Sequence, residues 1–215
     1  MTRLLIMAKA PVPGTTKTRL RLPPEKAASL QTALVRDTVE KAGLLGPLTV
    51  AGTPPESLHL IEPLLPKDVR LIAQSGEDLG ERMFAAARRL FEEGSEPVLI
   101  LGTDSPTLPL DSIWRARRVL EDKRQYDASI IGSTDGGYVL LGLAGLHEGL
   151  FLDIPWSTNA VYRKTVQRAR ALGLSIHEGE PHYDVDIPED LVCLEKELGT
   201  NTRAAPHTAK FLREL

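Results

Sequence analysis

A single cysteine, Cys193, in 215 residues excludes an intrachain disulfide and a cysteine-built metal centre. Its place in a helical apolar pattern predicts a small core or near-core residue. Positive charge is not in excess. The chain has 26 Lys and Arg against 29 Asp and Glu, a net charge of −3. No Lys/Arg block exceeds a pair, which argues against a nucleic-acid partner. No apolar run approaches the length of a membrane span. The opening MTRLLIMAKAP has too short an apolar stretch for a secretory signal and lacks a small-residue cleavage site, so a cytoplasmic location is expected. The five histidines, His59, His147, His177, His182 and His207, show no ligand spacing. No Ser-His-Asp pattern is evident.

What remains is an ordinary globular composition, 42% hydrophobic and 26% charged. The length suits one large α/β domain or two small ones. Without a repeat, low-complexity segment or linker, one domain over 1–215 is expected. Apolar runs predict strands at 4–8, 48–51, 69–73, 98–101, 128–132, 138–142 and 174–177. Helical spacing predicts helices at 25–45, 57–62, 79–93 and 111–123. Another runs to Leu172 from a cap at Ser157 or Thr158, and a further one carries Leu191, Leu194 and Leu198. The tail has room for one more. Strand and helix alternate over the first half, which predicts an α/β fold with a mostly parallel central sheet and helices on both faces.

The chemistry-bearing stretches sit where these strands end. Val98 to Leu101 is followed by Gly102-Thr103-Asp104-Ser105-Pro106, which delivers a carboxylate to the carboxyl end of a central strand. Ligands bind at that edge in open α/β sheets. Asp104 equally suits a plain turn or a helix cap. After the first strand come Lys9, Gly14, Lys17 and Arg19 with three threonines. Free backbone amides and cations there suit phosphate oxygens, although the segment also reads as a solvated basic loop. The full G-x-x-x-x-G-K-[ST] spacing is absent, which excludes a P-loop NTPase. Asp135-Gly136-Gly137 signals a turn between strands, or a close approach of backbone to a ligand. Asp184 and Asp186, if extended, present both carboxylates on one face. Asp186-x-x-Glu189 also fits a capping box, with Pro188 early in the helix.

Six motifs in order, MAKAPVPGTTKTRL, GEDLGERM, LGTDSPTLP, TDGGYVLLGL, IPWST and DVDIPEDL, resemble an uncharacterised bacterial branch (DUF2064 type) of the nucleotide-diphospho-sugar transferase superfamily. The resemblance covers roughly Leu4 to Leu194, and the chain is similar as well to the phospholactate guanylyltransferases. It implies a single-domain GT-A-like fold. It also implies a metal-dependent transferase acting on a nucleotide-linked substrate, in the first place a nucleotide sugar. The alternatives are nucleotidylyl transfer to a small phosphorylated acceptor, or a nucleotide-binding module without turnover. By resemblance, Asp104 and Asp186 bind Mg²⁺ or Mn²⁺, and Asp104 and Lys17 are catalytic. Lys9, Gly14, Lys17, Arg19 and Arg82 serve the nucleotide, while Asp135, Gly136, Gly137 and Trp156 face a small-molecule acceptor. Many sugar transferases of this fold carry Asp-x-Asp at the metal site. Here the third position is Pro106, and one Asp plus a distant Asp looks more like the nucleotidylyltransferases.

Overall fold

A computed structural model describes residues 2–122 and 125–215. Among these residues seven strands form one sheet: β1 (Arg3–Lys9), β2 (Leu48–Thr53), β3 (Arg70–Ala73), β4 (Val98–Gly102), β5 (Ala128–Ser133), β6 (Tyr138–Leu143) and β7 (Ile176–His182). Their order is β3-β2-β1-β4-β6-β5-β7. Every pairing is parallel except those of β6, which runs against both neighbours, β4 and β5. The carboxyl ends of β1, β4, β5 and β7 therefore share one edge with the amino end of β6.

The α-helices are α1 (Pro24–Gly43), α2 (Leu58–Ile61), α3 (Leu79–Glu92), α4 (Leu110–Glu121), α5 (Val161–Ala171), α6 (Pro188–Thr200) and α7 (Pro206–Arg213). Alternation along the strands divides the core into two layers. Leu4 and Ile6 of β1 pack with Val35 and Val39 of α1 and Ile113 and Leu120 of α4. Leu5, between them, turns to the other face, with Met83 and Leu90 of α3 and Val166 of α5. A third cluster joins Leu30 and Leu34 of α1 to Leu194 of α6 and Phe211 of α7. Helices thus cover both faces of a mostly parallel sheet, as the sequence predicts.

Several boundaries differ from expectation for physical reasons. β7 runs to His182 rather than ending at 177, through Gly179 and Pro181. Those residues give no strand signal, but β7 lies at the sheet edge, where proline is tolerated. Its pairing with β5 sets its course. α5 begins at Val161, because Ser157 holds φ at +62° and keeps that stretch out of the helix. The Thr158 hydroxyl accepts from the Ala160 amide at 3.3 Å, but Thr158 stands two residues ahead of the cap position, Ala160. Cys193 is exposed rather than near the core. Leu191, Leu194 and Leu198 bury the other face of α6, and a residue two places from Leu191 projects away from it. The expected end of the 111–123 helix, Lys123, lies outside the described residues.

Candidate active site

The shared sheet edge opens into a cleft of about 930 Å³. Its walls come from the strand ends: Lys9 at the end of β1, Asp104 after β4, Asp135 in the β5–β6 turn, Tyr138 at the start of β6, and Asp184 and Asp186 after β7. The topology alone brings these distant segments together.

The N-terminal loop folds into the cleft through Lys17, whose backbone is left-handed at φ +50°. Its side chain is 4% exposed and its ammonium lies 2.7 Å from Asp104 Oδ1. The same Nζ donates to the Val185 carbonyl at 2.6 Å. A buried ammonium needs such partners, since desolvation without them is costly. Arg19 pairs with Asp186 Oδ2 at 2.8 Å. The hydrogen bond and charge of Asp186 push the Arg19 pKa up. Lys9 donates to the Thr15 carbonyl at 2.6 Å, which closes the loop on itself. The Asp104 carbonyl accepts from the Val185 amide at 2.8 Å, so the two carboxylate-bearing segments are joined backbone to backbone.

The cap predicted for Asp186 belongs to another residue. The Asp190 carboxylate accepts from the Asp186 and Ile187 amides, both at 2.9 Å. Asp186 keeps its own carboxylate for Arg19 and the cleft. Asp184 accepts from the Ser133 hydroxyl at 2.6 Å. Burial pushes its carboxyl pKa up, the Ser133 hydrogen bond opposes this, and the charges of Asp135 and Asp104 add to the rise. In the β5–β6 turn, Asp135 Oδ1 accepts from the Gly137 amide at 2.8 Å, so the predicted turn forms while Asp135 also lines the cleft. Gly136 has φ +94°, and a Cβ there would fall 2.1 Å from the Asn159 carbonyl oxygen. Only glycine fits.

Of the residues singled out in the sequence, Lys9, Lys17, Arg19, Asp104, Asp135, Gly137, Trp156 and Asp186 line the cleft. Gly14, Arg82 and Gly136 are not among the lining residues. Arg82 turns back to donate to the Gly76 carbonyl at 3.0 Å and the Glu77 carbonyl at 3.3 Å. It braces the loop ahead of α3. Trp156 packs over the first turn of α3 at Gly80, where a Cβ would lie 2.4 Å from the indole. Its ring meets Tyr138 edge-on at 6.4 Å.

Sequence reasoning passed over Gln31. It is 1% exposed and donates to the Lys9 carbonyl at 3.1 Å and to Thr103 Oγ1 at 3.3 Å. Thr103 in turn donates to Asp104 Oδ1 at 3.3 Å. Gln31 thus spans the ends of β1 and β4. The available signal is a polar side chain beside Leu30 and Leu34 within the apolar pattern of α1. The sequence pairs Asp184 with Asp186 by spacing alone; its place in the cleft adds it to the site.

The oxygen donors of Asp104 and Asp186 suit Mg²⁺ or Mn²⁺ rather than a soft metal. Among the described residues, no group of three or more His, Cys, Asp or Glu converges as a metal cage. A cation here would complete its shell with ligand phosphate oxygens and water, as magnesium commonly does.

A bacterial family described as "uncharacterized protein conserved in bacteria (DUF2064)" matches residues 37–158, more than half of the chain. No curated protein matches it. Among solved structures, a candidate nucleotide-diphospho-sugar transferase from Desulfovibrio desulfuricans G20 is 31% identical, with a TM-score of 0.90 over 99% of this chain and 94% of that one. A cytidylyltransferase from Leptospira borgpetersenii is 15% identical, with a TM-score of 0.61 over 99% and 92%. A 4-diphosphocytidyl-2C-methyl-D-erythritol synthase from Anaerococcus prevotii is 12% identical, with a TM-score of 0.63 over 93% and 96%. The last two likenesses are of fold alone. With its family match and its likeness to the Desulfovibrio protein, the chain belongs to the bacterial DUF2064 family and has the nucleotide-diphospho-sugar transferase fold.

Proposed function

We propose that this protein is a metal-dependent transferase that takes a nucleotide-linked donor, in the first place a nucleotide sugar. The observation that carries the reading is the meeting of the cationic N-terminal loop with Asp104 and Asp186 in one cleft, through the Lys17–Asp104 and Arg19–Asp186 pairs. In this reading Lys9, Lys17 and Arg19 hold the donor phosphates, and the Gly14 turn shapes the loop that carries them. Arg82 acts on the nucleotide side by bracing the loop ahead of α3. Asp104 and Asp186 hold Mg²⁺ or Mn²⁺. When bound, the metal supplies positive charge to phosphate oxygens as they gain negative charge.

The chain's own part is positioning. Lys17 is already desolvated and aimed, so little reorganisation is needed when phosphate arrives beside Asp104. In glycosyl transfer, an acceptor hydroxyl oxygen bonds to the anomeric carbon. The bond from that carbon to the phosphate oxygen breaks, and its electron pair leaves with the nucleoside diphosphate. The hydroxyl proton passes to a cleft carboxylate or to water. Asp135, Gly137 and Trp156 face this acceptor, and Gly136 shapes the turn that presents them.

A second reading, nucleotidylyl transfer with release of pyrophosphate, is favoured by Pro106. That residue stands where a paired carboxylate would follow Asp104, so the second acidic ligand has to come from Asp186. One assay separates the two. Nucleotide sugars and nucleoside triphosphates are supplied with Mg²⁺ or Mn²⁺ across an acceptor panel, and products are identified. Nucleoside diphosphate release supports glycosyl transfer, and pyrophosphate release supports the second reading. Binding with neither product leaves a nucleotide-binding module.

A further inference from the structure

We infer that the acceptor of this transferase is an uncharged polyhydroxyl compound, a sugar or polyol without phosphate, bound against Trp156. The inference rests on the nucleotide-donor reading above and extends it to the second substrate.

Among the described residues, three cations line the cleft, Lys9, Lys17 and Arg19, and all stand on one segment, 9–19. Five carboxylates line it: Asp104, Asp135, Asp184, Asp186 and Asp190. The wall formed by residues 134–161 contributes no Lys, Arg or His to the lining. What it contributes is Asp135, the Tyr138 and Trp156 rings, and the neutral polar side chains of Ser157, Thr158 and Asn159. A donor diphosphate uses the three cations. The metal of that reading is shared by Asp104, Asp186 and the donor phosphates, so a phosphate on the acceptor would meet Asp135 and Asp184 with no Lys or Arg on its own wall to offset them, and like charges at short range repel strongly where water is partly excluded. Hydroxyl groups instead find carboxylate and amide acceptors and hydroxyl donors on this wall.

The aromatic surface supports the same class of ligand. Trp156 is held in place by packing on Gly80 and by its edge contact with Tyr138. A rigid indole beside short polar side chains offers an apolar face to the C–H side of a sugar ring while the rim binds its hydroxyls.

The test uses Trp114→Phe protein. Trp114 lies on α4, is 47% exposed, stacks with Arg118 and is outside the cleft, so Trp156 becomes the sole tryptophan reporter. Nucleotide binding with Mg²⁺ is measured first by calorimetry over a panel of nucleoside diphosphates. With the tightest of these saturating, matched pairs are titrated against Trp156 emission: glycerol against glycerol 3-phosphate, and glucose against glucose 6-phosphate. The expected result is that a neutral member perturbs Trp156 at about tenfold lower concentration than its phosphorylated partner. In the Asp135→Asn, Asp184→Asn double variant that preference should shrink or vanish. Asparagine keeps the oxygens that Gly137 and Ser133 bind, so the variant removes charge without removing those contacts. Equal or tighter binding of the phosphorylated members to the Trp114→Phe protein overturns the inference, as does silence of Trp156 to every neutral member. Failure of any nucleotide to bind is read in the first step and overturns the donor reading instead.

Discussion

Lys17 and Asp104 illustrate how much a single pair constrains this site. The ammonium is almost sealed from solvent, while the carboxylate is 47% exposed. Replacing Asp104 with Asn leaves the ammonium buried against neutral acceptors alone, the Val185 carbonyl and the new amide oxygen. The expected loss, discounted for the exposed carboxylate, is about 1–3 kcal/mol by denaturant unfolding. The same variant should lose metal-dependent nucleotide binding by calorimetry, and unchanged affinity would remove Asp104 from the site. Lys17→Met should weaken nucleotide binding most at low salt, where charge is least screened. A dissociation constant that does not change at low salt would count against the basic loop. Asp104, Lys17 and Arg19 were legible in the sequence because each follows a strand that a short apolar run announces. The role of Asp190 was not. Asp186 and Asp190 both precede the apolar positions of α6, and the cap is decided by where the Asp186 and Ile187 amides point, which spacing does not encode.

The connection from β4 to α4 is held from behind by α1. Lys41, near the end of α1, donates to the Leu108 carbonyl at 3.0 Å and also to the Pro106 carbonyl. It anchors the turn that follows Asp104. Burial lowers its pKa from the usual 10.5 to about 8, against the opposing pull of Asp37 and Glu197. Between those two values the unfolded chain holds a proton that the folded chain has released. Stability therefore rises with pH across that window, and this contribution is lost as pH falls through about 8. Its expected size is on the order of 2 kcal/mol, allowing for incomplete burial. Lys41→Met should flatten the rise in a comparison of the two proteins by urea titration at several pH values. Parallel pH profiles would show that Lys41 is not the group responsible. At this scale β1 and β4 were readable from their apolar runs and α3 from its helical spacing. β7 was not, because an edge strand containing Gly179 and Pro181 takes its conformation from its partner rather than from its own apolar pattern.

For the molecule as a whole, the site exists only when the sheet is complete. Arg19 reaches Asp186 across 167 positions of sequence, and Gln31 reaches Thr103 across 72. A ligand that binds here has no counterpart in the unfolded chain and should stabilise the fold by mass action. At a hundredfold excess over the dissociation constant the gain is about 2.7 kcal/mol, or roughly 5–10 °C in Tm for a domain of this size. Thermal scans should show that shift with nucleotide and Mg²⁺ or Mn²⁺ together, and less with either alone. Equal shifts for nucleotide with and without metal would argue against a shared metal–phosphate site. The parallel architecture was legible from alternating strand and helix signals. The reversal of β6 was visible only locally, as an Asp-Gly-Gly turn, and pairing with β4 as well as β5 is a long-range choice that no short window contains. The indole of Trp156 occupies the space a side chain at Gly80 would need. The two share one volume, so across related chains a side chain larger than hydrogen at 80 should coincide with a smaller residue at 156.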